Sequence, residues 1–174
     1  PIFAKAYFGC DPFDLGLVFV GVGGDGNYLP FLRLAQTVET PWFIFSDGED
    51  AATRAVESAL GRTGLALPHA SVEILPDGAS IEKYLVSAGY RAELEEMLLR
   101  DCTNEHHRQA KQAELTRLAD ADVVAKICEA KTKWAPRWAQ AIVELGCDRR
   151  FPHAIHRFFD TIADSIGFGS SGGE

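Results

Sequence analysis

Trp42 Phe43 Ile44 Phe45 Ser46 Asp47 Gly48 Glu49 Asp50 sits at the centre of the first half of the chain. Apolar, strand-favouring residues follow Pro41, and a serine then leads into three carboxylates set around a glycine. Such a run predicts a strand buried on both faces, as in a parallel sheet, with a turn that Gly48 lets curl. Ala51–Leu60 follows at helical spacing and ends at Gly61. Upstream, Leu15–Val20 is a second apolar, β-branched run, stopped by Gly21. Between the two runs, Asn27 is expected to cap a helix whose Tyr28, Phe31, Leu32, Leu34, Ala35 and Val38 share one face. Residues 15–45 therefore read as strand, helix, strand: a βαβ crossover. Ser71–Leu75 predicts a third strand, and Ile81–Ala88 a helix ended by Gly89.

From Tyr90 the texture changes. Glu93, Glu95, Glu96, Arg100, Glu105, Arg108, Lys111, Glu114 and Arg117 alternate in sign among leucines and alanines at helical spacing, which predicts a solvated helical section. In this section Arg108, Lys111, Arg117 and Lys126 either line a face toward a phosphate backbone or belong to a packed lid that touches no nucleic acid. Helices are expected at Ala135–Glu144, with Pro136 in the first turn, and at Pro152–Ile166, followed by a frayed Gly/Ser-rich end from Gly167 to Glu174. The fold class is α/β: a parallel sheet flanked by helices, with an additional helical section. The expected divisions are an α/β core over 1–89, a helical insertion over 90–130, helices completing the domain over 131–168, and a tail over 169–174.

With 174 residues, 47% hydrophobic and 24% charged, the chain has the composition of an ordinary globule that builds its core without staples. Its apolar runs fall well short of the ~20 residues of a membrane helix, and no export signal opens the sequence, so a cytoplasmic protein is expected. Cys10, Cys102, Cys128 and Cys147 are scattered, without the C-x-x-C spacing of a zinc site or redox pair, and read as reduced thiols. The chain opens on Pro1 and holds one methionine, Met97, so it is expected to be a piece of something longer. Net charge is −8; residues 1–50 carry two basic and seven acidic side chains, and the basic residues gather between Arg108 and Arg157. That is not the uniform basic face of a simple DNA binder, so phosphate partners would come through metal ions or a local patch.

Two motifs carry chemistry. Gly21 Val22 Gly23 Gly24 Asp25 Gly26 matches G-x-G-x-x-G, and Asp47 lies at about the distance expected of a dinucleotide fingerprint's acidic residue. Against that reading, Asp25 sets a carboxylate beside the anions such a loop would cradle, and the Asn27 cap falls after the third glycine. A flexible strand-to-helix turn explains the same glycines. The second motif is the acidic run: Asp47 and Glu49, at i and i+2 on a loop past a strand, offer hard oxygen ligands to Mg²⁺ or Mn²⁺. The competing account has Asp47 capping the next helix while Glu49 and Asp50 face its dipole. His106-His107 and His153-x-x-His156 offer imidazoles, but no further soft ligand stands near them in the sequence to favour zinc.

Pro1–Gly9, Val20–Leu32 and Pro41–Glu49, and in weaker form Ile81-Glu82, Lys131-Thr132-Lys133-Trp134-Ala135-Pro136 and Phe151-Pro152, together resemble the Toprim domain of OLD-family (overcoming lysogenization defect) nucleases. In that family an ABC-type ATPase precedes the Toprim nuclease. The resemblance implies a Rossmann-like parallel sheet and a Mg²⁺- or Mn²⁺-dependent endonuclease acting on DNA through two metal ions. It implies that Asp47 and Glu49 are the family's D-x-E pair, that Glu82 is a further metal ligand, and that Lys131 neutralises charge on the scissile phosphate, with Lys133 second to it. Ser46 and Asp50 are supporting residues. Glu82 reads equally as a solvated helix acid paired with a lysine, and the two lysines as surface groups beside a core Trp134. The family's Glu-Gly strand is expected upstream of Pro1. No P-loop occurs, so ATP would act only through an upstream ATPase domain; a homodimer is a further expectation, and a membrane is not. A metal-free regulatory or DNA-docking Toprim fold, and a nucleotide-binding domain using Gly21, Gly23 and Gly26, are the alternatives.

Overall fold

The computed structural model describes residues 1–23, 26–100, 102–129, 131–146 and 149–169, and for 131–133 the backbone alone. The chain forms two compact units: Pro12–Ser80 with the segment from His153 onward, and Pro1–Asp11 with Ile81–Pro152. These cuts follow packing rather than the change of texture at Tyr90, so they do not coincide with divisions at 89, 130 and 168.

The first unit carries the sheet. Helix α1 belongs to the other unit, at Ile2–Phe8; here the elements are α2 (Leu29–Thr37), β1 (Ile44–Ser46), α3 (Asp50–Gly61), β2 (Val72–Ile74) and the last helix, His153–Ile166. β1 and β2 pair in parallel, Ile44 opposite Val72 and Ser46 opposite Ile74, and α3 makes the crossover between them. Alternation along the strands sorts the layers. Ile44 on one face packs with Leu32, Val56, Ala59 and Leu60 from α2 and α3, joined by Val72 and Ile74. On the other face Phe43 and Phe45 meet Phe158 of the last helix edge-on, with ring centroids 6.5 and 5.3 Å apart. Glu73 takes both Nε and Nη2 of Arg157 from that same helix. The unit is thus helices, sheet, helix: the α/β class expected of the sequence, reduced to two strands among the described residues.

One expected strand is not there. Pro12–Leu15 forms a 3₁₀ turn closed by Leu17 N–H on Pro12 O, Gly16 takes φ 73°, and Leu17–Val20 continues outside any sheet. Val18, Phe19 and Val20 are 71, 41 and 50% exposed. β-propensity describes side chains that suit a pleated surface, but a strand also needs a neighbour for its N–H and C=O groups, and no described strand pairs with this run. The parallel crossover accordingly lies one unit further along than the sequence suggests. Asn27 is not the cap of α2 either: Tyr28 holds that position without a side-chain cap bond, and Pro30 lies in the first turn, where a missing N–H costs nothing.

The second unit is helical. α4 (Ile81–Leu85) runs through one wide turn, Val86–Tyr90, kinked at Gly89, into α5 (Arg91–Leu99); α6 (Glu105–Leu115), α7 (Asp120–Cys128) and α8 (Lys131–Val143) follow. With the last helix, now α9, the numbering is complete. Leu85, Leu94, Met97, Leu98, Leu115, Val123, Ile127, Trp138 and Ile142 form one core, with Ile2 and Phe3 of α1 against it. Pro136 stands inside α8 rather than in its first turn, because the helix starts at Lys131 and so takes in the Lys-Thr-Lys-Trp motif expected ahead of it. Cys10 and Cys102 are free thiols and Cys128 is exposed; Cys147 and residues 170–174 lie outside the described residues. Among the described residues no helix is long and apolar enough to cross a membrane.

Candidate functional site

Because β1 and β2 are parallel, their C-terminal ends share one edge of the sheet, where ligands of open α/β sheets usually bind. Ser46 O accepts from Leu75 N at 3.0 Å, and Gly48 N donates to Ala79 O at 2.8 Å, so the turn after β1 is bonded to the loop after β2. Gly48 is required there: a Cβ on it would lie 2.0 Å from Leu75 O and 3.2 Å from Ala79 N. Both contacts are to backbone, which cannot swing aside. The glycine predicted to let the chain curl therefore serves a tighter purpose, the close approach of two backbones.

This clamp presents Asp47 and Glu49. α3 begins at Asp50; Glu49 holds its N-cap position in an extended conformation (φ −60°, ψ 145°) with no side-chain cap bond. The first turn is instead tied by Thr53 N on Glu49 O (2.9 Å) and Thr53 Oγ1 on Gly48 O (3.3 Å). The N-cap falls two residues after Asp47, and the Glu49 carboxylate, exposed, is not spent on it. Asp50 is exposed in the first turn, where the helix dipole favours it. Ser46 is 3% exposed, and its Oγ shares a 3.2 Å hydrogen bond with Tyr28 Oη, tying the end of β1 to the start of α2. The sequence offers Tyr28 only as one apolar member of a helix face.

Two carboxylates on a rigid turn fit a single hard divalent cation whose remaining ligands are water. Among the described residues no three His, Cys, Asp or Glu side chains group as a metal cage. The loop after β2 adds Asp77, exposed at φ 57°, to the same sheet edge; its only sequence signal is an Asp-Gly pair past a strand.

The other expected residues belong to the helical unit. Glu82 on α4 is 0% exposed, which removes its reading as a solvated helix acid. A carboxylate is costly to bury, so its place in this core calls for compensation. Lys131 opens α8 and Lys133 falls in its first turn; their side chains lie outside the described residues. His106 and His107 are exposed on α6, His153 and His156 on α9 of the other unit, and His156 Nδ1 lies 2.9 Å from Asp160 Oδ2.

The glycine run fares differently. A dinucleotide fingerprint needs a strand leading into it, and residues 17–22 form none. That reading of Gly21, Gly23 and Gly26 is overturned; Gly24 and Asp25 lie outside the described residues.

No family model matches the chain, and no curated protein does. Solved structures do. The C-terminal region of the Xanthomonas campestris pv. campestris OLD protein, in a structure phased with mercury, superposes with a TM-score of 0.67 over 97% of this chain and 92% of that one at 18% identity. The platinum-phased structure of the same region gives 0.66 at 19% identity, over 97% and 89%. The C-terminal region of the Burkholderia pseudomallei OLD protein gives 0.63 at 19% identity, over 95% and 91%. The chain therefore has the fold of an OLD-protein C-terminal region, as its motifs imply.

Proposed function

We propose that this chain is the Toprim nuclease domain of an OLD-family protein, cutting DNA phosphodiesters with Mg²⁺ or Mn²⁺ held by Asp47 and Glu49. One observation carries the reading: the Asp47–Glu49 turn is clamped by backbone contacts at the C-terminal edge of a parallel sheet without Glu49's carboxylate serving as a helix cap, in a chain with the fold of OLD C-terminal regions. The bound ion would supply Lewis acidity to a phosphate oxygen and lower the pKa of a bound water. The chain's own part is to hold the carboxylates rigid. Gly48 fixes the turn, Ser46 and Tyr28 brace its approach, and Asp50 favours the start of α3.

Glu82, from the resemblance, is assigned as a further ligand, and Lys131 as the cation for the scissile phosphate, with Lys133 behind it. A lysine at the head of a helix stands at the positive end of the dipole, where a cation is disfavoured by roughly 0.3–1 kcal/mol. A passing phosphate would turn that cost to use. DNA is the substrate, ATP acts only through an upstream ATPase domain, and a homodimer is the assembly proposed.

Nicking of supercoiled plasmid in Mn²⁺ tests the reading. Asp47→Ala and Glu49→Ala should each lose at least ~10² in rate, and Lys131→Ala a similar factor while still binding the metal. Wild-type rates in Asp47→Ala would overturn the assignment and leave a metal-free fold.

A further inference from the structure

The core of the sheet-bearing unit covers β2 only in part. Val72 and Ile74 are half-buried, packed at the margin of the Ile44, Val56, Ala59 and Leu60 cluster together with Trp42 and Leu67. Leu67, Pro68 and His69 fold beside the two strand residues and enclose with them a cleft of about 320 Å³. Among the described residues that line it, His69 alone has a polar side chain. That side chain is held twice: its ring stacks on Trp42, with centroids 4.9 Å apart and planes 24° from parallel, and its Nδ1 accepts from Ser71 N at 3.1 Å. A neutral imidazole that accepts at Nδ1 carries its proton on Nε2, so the remaining edge of the ring is a donor. It meets no acceptor among the described residues.

We infer that this cleft receives an unpaired nucleobase of the DNA strand whose cleavage is proposed above; the inference rests on that reading. With no charged side chain among its described lining residues, the cleft holds nothing that would neutralise a phosphate or a carboxylate. It suits a neutral flat ring with acceptors on its edge. Apolar walls and an aromatic platform take the faces of such a ring, and the Nε2 hydrogen donates to a ring nitrogen or an exocyclic oxygen. Every base has a π-face, so the grip tolerates any sequence. Position favours a base on a strand over a free small molecule. Ile74, at one end of the cleft, pairs in register with Ser46, the residue before Asp47. From Ile74 back to Val72 is roughly 6.6 Å at ~3.3 Å per residue, or about two nucleotides at ~3.4 Å each. A strand with a phosphate at Asp47 and Glu49 therefore brings a base about one to three nucleotides away to the cleft. In a paired duplex that base is covered by its stacked neighbours, so the cleft selects unpaired DNA.

Fluorescence anisotropy of a labelled single-stranded oligonucleotide, bound by the whole chain without Mn²⁺, tests this, because stacking needs no metal. His69→Asn keeps an acceptor for Ser71 N, as asparagine does in a turn, but removes the ring. Affinity should fall about fivefold or more. His69→Phe, which keeps a ring without the donor, should recover part of the loss. The slope of log K against log salt should be the same in all three proteins, since no phosphate contact is lost, and binding of a blunt duplex should not change. An oligonucleotide whose central nucleotides are abasic should bind the wild type at the weaker level, an arm that needs no variant. Unchanged affinity in His69→Asn, or equal wild-type affinity for the intact and abasic strands, would overturn the inference. So would a dimer that His69→Asn dissociates while single-strand affinity stays put, which would give the cleft to a second copy of the chain. Loss of base-dependent binding with Mn²⁺ heats intact would sink the cleft alone. Wild-type Mn²⁺ heats in Asp47→Ala with base-dependent binding preserved would sink the metal turn alone, so the two failures are distinguishable.

Discussion

The two compact units use their cations in opposite ways. In the helical unit they hold helices together. Arg91 reaches Glu95, Asp120 and the carbonyls of Leu115 and Leu118; Arg108 takes both oxygens of Glu96; Lys111 Nζ donates to Leu98 O at 2.7 Å; Lys126 pairs with Glu114 and Arg149 with Glu93. Among the described residues of the sheet-bearing unit Arg157 is so engaged, with Glu73, while Arg33 and Arg54 stand exposed on α2 and α3 and Arg62 just past the end of α3. The alternating charges after Tyr90 allow a face toward DNA, but three of the four residues expected to line it are occupied internally. A cation already satisfied by a carboxylate or carbonyl must give that partner up before it can take a phosphate. Pairing, which the sequence does not show, therefore separates the two units where basic content does not.

The contrast can be broken at several places. The largest effect is expected at Gly48→Ala, where the new Cβ would meet the Leu75 carbonyl at 2.0 Å. Since backbone must move, a loss of about 3 kcal/mol or more is expected in denaturant unfolding, together with loss of Mn²⁺ binding. Wild-type stability in this variant would mean that the two loops are not clamped. In the helical unit, Ile142→Ala, at a fully buried side chain, should cost ~2–5 kcal/mol, the usual range for deleting a buried aliphatic. Near-wild-type stability would show that this core is loosely packed.

A smaller effect follows from Tyr90. Burial raises its pKa above the ordinary value near 10, with Arg149 opposing, and its Oη donates to Arg149 O at 2.9 Å. A raised folded pKa favours the protonated form, so the contribution is present in full below about pH 10 and is lost as pH rises through the folded value. Alkaline unfolding should therefore begin above pH 10, and Tyr90→Phe should flatten it; identical alkaline limbs would refute this. The smallest effect is expected for the pair Arg108→Glu and Lys111→Glu. Stability should fall, because partly exposed links are exchanged for repulsion with Glu96, yet the salt slope of DNA binding should stay within error. A slope reduced by one or more would move the DNA face to the helical unit.

The sequence reveals the elements whose partners are near in the chain. β1, α3 and β2 come out of apolar runs and helical spacing because each packs on the next, and the acidic turn is read from its place between them. Leu15–Val20 misleads for the complementary reason: its residues suit a strand, but strand formation is settled by a hydrogen-bonding neighbour, and no local pattern encodes one. Pro136 reads as a first-turn residue because proline breaks helices in isolation, whereas α8 is held by Trp134, Trp138 and Ile142 in the core and runs through it. Gly48 is legible as a turn glycine but not as a contact point, since the Leu75 carbonyl it faces arrives from a loop distant in sequence. Burial of Glu82 is hidden in the same way. Isolated acids on helices are usually solvated, and only packing shows that this one is not.

The central claim is that Asp47 and Glu49 hold a divalent cation, and Mn²⁺ calorimetry on the wild-type chain and on Asp47→Ala tests it most directly. Binding in the wild type is predicted to weaken at least ~10-fold in the variant, the scale of losing one charged ligand. Equal heats in the two proteins would contradict the account.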